Sequence, residues 1–282
     1  MNTIAVLITC HNRKEKTLKC LTFLFNCILP DGYKFDVFLV DDGSTDGTSD
    51  TVKEKFPQVN IIAGNGNLFW NRGMYTAWTY ARKKEKYDYY LWLNDDIELY
   101  PFCMDELFEC YSFGGKDCII SGFVEDSNHR IIYGGFDKQK KMLNVTGKLQ
   151  PITYMNGNVV LVPYTVVEKI GILDGIFHHD LGDVDYGFRA VESKINVFTT
   201  RISIALGCVN NFCRVRKWNS NIIDRFKKLY SPLGSNPMIN FYFRKKHFGI
   251  SDACIYWVYI HIINVLPDTL INIFFGDLYH DK

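Results

Sequence analysis

The sequence predicts an α/β fold, a mainly parallel sheet flanked by helices, with a helical extension at the C-terminus. Three observations carry this. Short apolar runs rich in β-branched and aromatic residues alternate with helical stretches through the first 120 residues, the pattern of strands joined by crossover helices. Two of those runs stop abruptly in paired acids, Asp41-Asp42 and Asp95-Asp96, at the carboxyl edge where open α/β sheets place their ligands. Beyond about residue 213 the chain becomes basic and aromatic.

Strands are expected near residues 4–9, 36–41, 59–63, 89–93 and 117–122, and helices over 14–27, 48–56, 71–86 and 102–112. Strand-like segments follow at 131–136, 158–162 and 196–206, with helices near 163–170 and 184–193. Gly43 and Ser44 suit a turn after the second strand, and the Ser, Thr and Asp residues of 44–48 offer caps to the next helix. The expected division is a catalytic domain over 1–213 and a helical extension over 214–282. At 47% hydrophobic and 15% aromatic, the 282 residues have ample material for one large core. A net charge of +1 gives no ground for a nucleic-acid partner. The nine cysteines include no Cys-x-x-Cys pair and no zinc-ligand spacing. With no signal peptide at Met1, they read as reduced thiols of a cytosolic protein.

The acidic strand ends carry the chemistry. In Leu91-Trp92-Leu93-Asn94-Asp95-Asp96 the hard carboxylate oxygens suit Mg²⁺ or Mn²⁺, and such an ion could neutralise a diphosphate. Acidic pairs at strand ends also act as turn formers and caps, so this one alone leaves both readings open. Asp41 and Asp42 could accept hydrogen bonds from a ribose or from the imide N–H of uracil or thymine.

Three stretches, Val6–Arg13, Val40–Asp46 and Leu93–Asp96, resemble the nucleotide-binding half of the family 2 inverting glycosyltransferases, which have the GT-A fold. Asn65–Met74 resembles that family's loop and helix start between the two acidic strand ends. Asn156–Pro163, Gly171–Asp174 and Gly182–Arg189 resemble its acceptor-side strand and catalytic helix, so the likeness runs from residue 4 to about 213. The resemblance implies base and phosphate contacts at Thr9, His11 and Arg13. It implies nucleoside contacts at Asp41 and above all Asp42, and donor contacts at Asn67, Arg72, Asn94 and Asn156. Asp95 would touch the ribose or the sugar, and Asp96 would bind the metal, Mn²⁺ or Mg²⁺. Asp183 would be the base, an N-cap role remaining open to it as well. Asp185 would orient the site or cap the helix, and Arg189 would pair with an acid at i−4.

The chain departs from the family pattern at three places. Asn94 stands where an acid is usual, and Gly182 replaces the acidic neighbour of the base. Residues 206–211 lack the His that many relatives carry, leaving Cys208, Asn210, His178 or His179 as substitutes and the metal's further ligands open.

From Arg214 to His247 nine Lys or Arg face a single acid, Asp224, so the remainder of the chain is net acidic. The apolar stretch Ala253–Pro267 is shorter than the roughly 20 residues a membrane span needs. Together these suggest peripheral contact with an anionic membrane at its cytoplasmic face. A packed helical subdomain or a homodimer interface is the alternative. Asn236–Lys246 resembles the tail of bacterial surface-polysaccharide transferases, rhamnosyl transferases among them, which act on lipid-linked acceptors. The expected reaction is therefore transfer of a hexose or deoxyhexose from a UDP- or dTDP-sugar to a growing, lipid-linked glycan. Alternatives are a soluble or protein acceptor, and a non-catalytic protein that binds sugar nucleotides or polysaccharide. A sugar-nucleotide pyrophosphorylase is disfavoured, because no Gly-rich loop follows the first strand.

Overall fold

A computed structural model describes residues 1–209 and 213–279. In chain order the first part contains β1 (Asn2–Cys10), α1 (Lys14–Phe25), β2 (Tyr33–Asp41), α2 (Thr48–Lys55), β3 (Asn60–Ala63), α3 (Phe69–Lys84), β4 (Tyr89–Leu93) and β5 (Glu98–Leu99). It continues with α4 (Cys103–Gly114), β6 (Ile119–Glu125), β7 (Ile131–Tyr133), β8 (Gly135–Phe136), β9 (Tyr154–Met155), β10 (Val159–Pro163), α5 (Tyr164–Ile170), α6 (Gly182–Glu192) and β11 (Val197–Leu206). After these come α7 (Ile222–Tyr230), α8 (Pro237–Phe248), α9 (Ile250–Val265) and α10 (Asp268–Phe275).

The main sheet runs β3-β2-β1-β4-β10-β6-β11-β5, with β7 beside β6. Strands β3, β2, β1 and β4 are mutually parallel, as the crossover helices require. β10 enters antiparallel between β4 and β6. Each central strand is buried on both sides, which explains its unbroken apolar run. Ile4, Val6 and Ile8 of β1 point into one core layer, with Leu91 and Leu93 of β4. Ala5 and Leu7 point into the other, with Tyr90 and Trp92. Burying a side chain such as Leu7 is worth roughly 1.5–3 kcal/mol, so this alternation fixes the register.

The chain forms two compact units. One comprises Met1–Gly175 and Gly182–Val209; the other comprises Ile176–Leu181 and the described residues after 212. The hexapeptide 176–181, placed by the sequence within 1–213, thus packs with the helical unit. His178 and His179 belong to that hexapeptide, and Asn210 lies outside the described residues. In the second unit Ile263, Ile271 and Tyr279 form a small core with Val215 and Trp218 around it. Arg216 is buried and donates to Asp268 at 2.5 Å and to the Leu266 carbonyl at 2.8 Å. All nine cysteines are free thiols. Among the described residues no helix is long and apolar enough to cross a membrane.

Candidate active site

Because β1, β2 and β4 are parallel, their carboxyl ends leave the sheet at one edge. Cys10 of β1 lies opposite Asp41 of β2, and β4 delivers Asn94-Asp95-Asp96 beside them. Arg13, three residues beyond β1, closes this edge. Its Nη1 lies 3.1 Å from Asp95 Oδ1 and 3.0 Å from Asp96 Oδ2, so one cationic nitrogen bridges two carboxylates. Burial pushes the Asp95 carboxyl up to about 6, against the pull of Arg13. Burial also weakens the Arg13 charge, but the two carboxylates outweigh it and hold the guanidinium above its ordinary value.

This donor set fits a hard divalent ion. Arg13 Nη1 shows that both carboxylates can address one positive centre, and Asp95 Oδ2 is buried without a hydrogen-bond partner. Among the described residues no group of three or more His, Cys, Asp or Glu surrounds a metal position. Asp95 and Asp96 are the residues that could hold such an ion, which would need further ligands from outside the protein, as Mg²⁺ sites commonly do.

Asp41 and Asp42 serve the fold directly. Asp41 Oδ1 accepts from the Ser44 N–H at 2.9 Å, and its Oδ2 accepts from the Ser49 hydroxyl. Asp42 Oδ1 accepts from the Gly66 N–H at 2.8 Å, and its Oδ2 accepts from Leu68 at 2.8 Å and Phe69 at 3.0 Å. A carboxylate offers about four lone-pair positions, so Asp42 keeps about one for a ligand. Its bonds also hold Phe69 in the left-handed region at φ 57°, a costly conformation for a bulky residue. His11 Nδ1 donates to the Asp42 carbonyl at 2.6 Å, joining the two strand ends. Thr9 lies beneath α3, where Gly73 has no room for a side chain: a Cβ there would stand 2.2 Å from Thr9 Oγ1. Asn67 is exposed on the turn, and Arg72 Nε donates to the Gly175 carbonyl at 3.0 Å.

Asp183 opens α6, and its Oδ2 accepts from the Gly157 N–H at 2.9 Å. That bond is the centre of a frame the sequence does not reveal. Trp70 covers Gly157, where a Cβ would meet the indole at 2.4 Å. The Trp70 indole N–H donates to Asn94 Oδ1 at 2.6 Å, and Asn94 Nδ2 donates to Asn158 Oδ1 at 2.7 Å. The Asn94 side chain, expected to contact the donor, thus has both ends engaged within the protein. Through these contacts the strand end bearing Asp95 and Asp96 is tied to the carboxylate of Asp183. A Cβ at position 182 would lie 1.8 Å from Asn71 Oδ1, so an acidic neighbour of Asp183 could be accommodated only by displacing the buried Asn71 side chain. Asn156 is partly buried, and its Oδ1 has no hydrogen-bond partner. Buried Asp185 pairs with Arg189 at 2.8 Å, the i−4 pair expected for Arg189. Arg189 also donates to the Ile172 carbonyl, anchoring α6. Cys208 is exposed, and its carbonyl accepts from the Tyr133 hydroxyl at 3.2 Å. The aromatic pair Phe69-Trp70 and the Asn156-Gly157-Asn158 stretch are the sequence signals that lie at this frame.

Residues 5–159, just over half of the chain, match the model of the glycosyl transferase family 2. The structure resembles that of S. aureus TarS, with a TM-score of 0.56 and 12% identity over 74% of this chain and 37% of that one. It also resembles TarS 1–349 in complex with UDP, at TM-score 0.55 and 13% identity over 74% of this chain and 61% of that one. For TarS 1–349 without UDP the values are 0.58 and 12%, over 94% of this chain and 81% of that one. At such identities the likeness is one of fold. The chain spans less than two thirds of the length of the first two structures.

Proposed function

The chain belongs to glycosyl transferase family 2 and has the GT-A fold, and from that premise we propose a glycosyltransferase that carries out an inverting, metal-dependent transfer. The donor is a UDP- or dTDP-sugar carrying a hexose or deoxyhexose, and the acceptor is a hydroxyl of a growing, lipid-linked glycan. The UDP complex of TarS 1–349 supports a nucleoside diphosphate donor.

One observation carries this reading: the Asp183 carboxylate and the Asp95–Asp96 pair are joined through Gly157, Trp70 and Asn94. Asp183 takes the proton of the acceptor hydroxyl as its oxygen attacks the anomeric carbon from the face opposite the diphosphate. The bond to the nucleoside diphosphate breaks as the new glycosidic bond forms, and configuration inverts, as in single-displacement glycoside hydrolysis. Arg13, on the donor side, binds diphosphate oxygens through charge-assisted hydrogen bonds. Asp96 would hold the metal, and Asp95 would contact the ribose or the sugar. When bound, Mn²⁺ or Mg²⁺ supplies neutralisation of the charge that grows on the leaving diphosphate. Asp42 fixes the nucleoside-side turn and offers its remaining lone pair to the nucleoside. The basic and apolar second unit supports a lipid-linked acceptor and peripheral contact with the cytoplasmic leaflet.

Asp183→Asn tests the assignment of the base. Transfer is abolished while UDP or dTDP binding stays within a few-fold of wild type. Retained transfer would remove Asp183 from its role.

A further inference from the structure

Helix α9 is apolar around its whole circumference, yet only one of its faces is covered within the second unit. Ala253, Ile260, Ile263 and Asn264 point inward, and Ile263 packs with Ile271 and Tyr279. Ile255, Val258, Ile262 and Val265 follow a spacing of three and four residues and so share the opposite face. They are 72%, 50%, 50% and 52% exposed. A helix apolar on every side normally belongs inside a protein or a membrane. At 16 residues α9 is about 24 Å long, against about 30 Å for the hydrocarbon core of a bilayer. It can lie in a membrane surface and cannot span it.

The exposed face carries a groove of about 340 Å³ lined by Trp257, Val258, His261, Ile262, Val265 and Leu266. Along one edge runs α7: the Tyr230 hydroxyl lies 2.7 Å from His261 Nε2, and the Phe226 ring centroid lies 5.7 Å from that of His261. Trp and Tyr at the edge of an apolar face are typical of a membrane interface.

The charges of this unit decide what covers the face. Asp268 is occupied by Arg216 at 2.5 Å and Arg225 at 3.0 Å, and Asp252 by Arg244 at 2.5 Å. Asp224 sits in the first turn of α7, accepting from the Asn221 side chain at 3.2 Å. Three of the four arginines of the basic run, Arg216, Arg225 and Arg244, are therefore spent on internal pairs, and the fourth, Arg214, donates to the Leu233 carbonyl at 3.2 Å. Lys217, Lys227 and Lys245 are exposed and form no ion pair among the described residues, so the free surface charge is positive. Lys227 rises from α7, the edge of the apolar face, and Lys245 from the last turn of α8, which packs along α9.

We infer that the outer face of α9, with its groove and its α7 edge, lies on an anionic lipid bilayer. The apolar side chains enter the boundary between headgroups and acyl chains, and the lysines meet the headgroups. A second copy is disfavoured as the occupant, because it would bring the same positively charged surroundings to this face, whereas an anionic bilayer complements them. The inference deepens the lipid-linked reading above, but its test needs neither donor nor acceptor.

The full chain is sedimented with phosphatidylcholine vesicles and with vesicles containing one quarter phosphatidylglycerol. Wild type pellets with the anionic vesicles and at least several-fold less with the neutral ones. Val258→Glu with Ile262→Glu lowers partitioning at least tenfold and leaves the melting temperature unchanged, since both side chains are exposed. Lys227→Glu with Lys245→Glu lowers it several-fold at low salt and less at high salt. In wild type, brominated lipid quenches Trp257 emission, read as the difference from Trp257→Phe; this holds the test open should the Glu variant fail to fold. Wild type that stays in the supernatant overturns the inference, as does unaltered partitioning of the Val258/Ile262 variant. A wild-type dimer that this variant converts to monomer assigns the face to a second copy and overturns it too. A UDP-induced thermal shift that persists in these cases leaves the transferase reading standing.

Discussion

Gly157→Ala tests the frame that ties the candidate base to the donor side. The added Cβ would lie 2.4 Å from Cη2 and Cζ2 of Trp70 and 3.3 Å from Asp183 Cβ. Carbon atoms pack at about 3.5–4.0 Å, so something must move by more than an ångström. Trp70 is not free to yield, because its N–H is bound to Asn94 Oδ1 at 2.6 Å and its ring lies edge-on to Trp92 at 6.2 Å. Either the indole leaves Asn94, or the strand end moves and takes the Gly157 N–H away from Asp183. Overpacking of this kind costs about 1–3 kcal/mol. In a domain of this size that lowers Tm by roughly 2–4 °C per kcal/mol. Trp70→Phe removes the far ring of the indole, so it makes room for the new methyl group while losing the bond to Asn94. The double variant should therefore be less destabilised than the sum of the two singles, by roughly 1–3 kcal/mol. Thermal and urea unfolding of the four proteins complete the cycle. Strict additivity, or a Gly157→Ala variant as stable as wild type, would refute the frame.

Asp42→Ala strips the acceptor from three backbone N–H groups, costing about 2–4 kcal/mol when part-buried donors are left unsatisfied. Unchanged thermal unfolding with nucleotide binding lost would instead make Asp42 a ligand contact alone. Glu106 gives a pH test. Burial raises its carboxyl, but hydrogen bonds from Arg201, Cys110 and the Arg201 backbone outweigh this and hold it below the ordinary 4.5. Between the folded and unfolded values the unfolded chain binds more protons, so stability rises with pH there. The contribution is complete above about pH 4.5 and fades as pH falls through the folded value. The Tm gap between wild type and Glu106→Gln should be wide at pH 7 and narrow progressively as pH falls below about 4.5 and through the folded value; a constant gap would contradict the assignment.

Much of the fold was legible because the central strands are buried on both faces. Ile4–Ile8 and Tyr90–Leu93 are continuous apolar runs of strand length, and no helix period fits them. The two-residue strands β5 and β9 carry no period at all, so they were invisible, whereas β7 and β8 fall within the strand-like segment expected at 131–136. The antiparallel entry of β10 was hidden too, since an apolar run does not encode its direction. At the site, the paired acids signalled a strand edge but not their partners. Asp42 read as a nucleoside ligand because its bonds to residues 66–69 depend on how a loop 24 to 27 residues away folds back. The Trp70–Asn94 bond and the close approach of Trp70 to Gly157 are likewise products of tertiary packing. The basic run of 214–247 gave the sign of the surface charge. It could not show that Arg216, Arg225 and Arg244 are consumed by Asp268 and Asp252.

The acidic strand ends are proposed to form a metal-assisted site for a nucleoside diphosphate. Thermal unfolding with UDP, dTDP, GDP, CDP or ADP, each with and without Mn²⁺ or Mg²⁺, tests it most directly, since a ligand specific to the native state raises Tm by mass action. Wild type should show a shift for UDP or dTDP that grows with the metal, and the metal-dependent part should disappear in Asp96→Ala. No shift with any nucleotide would contradict the proposed site, and a metal-dependent shift unchanged in Asp96→Ala would contradict the choice of ligand.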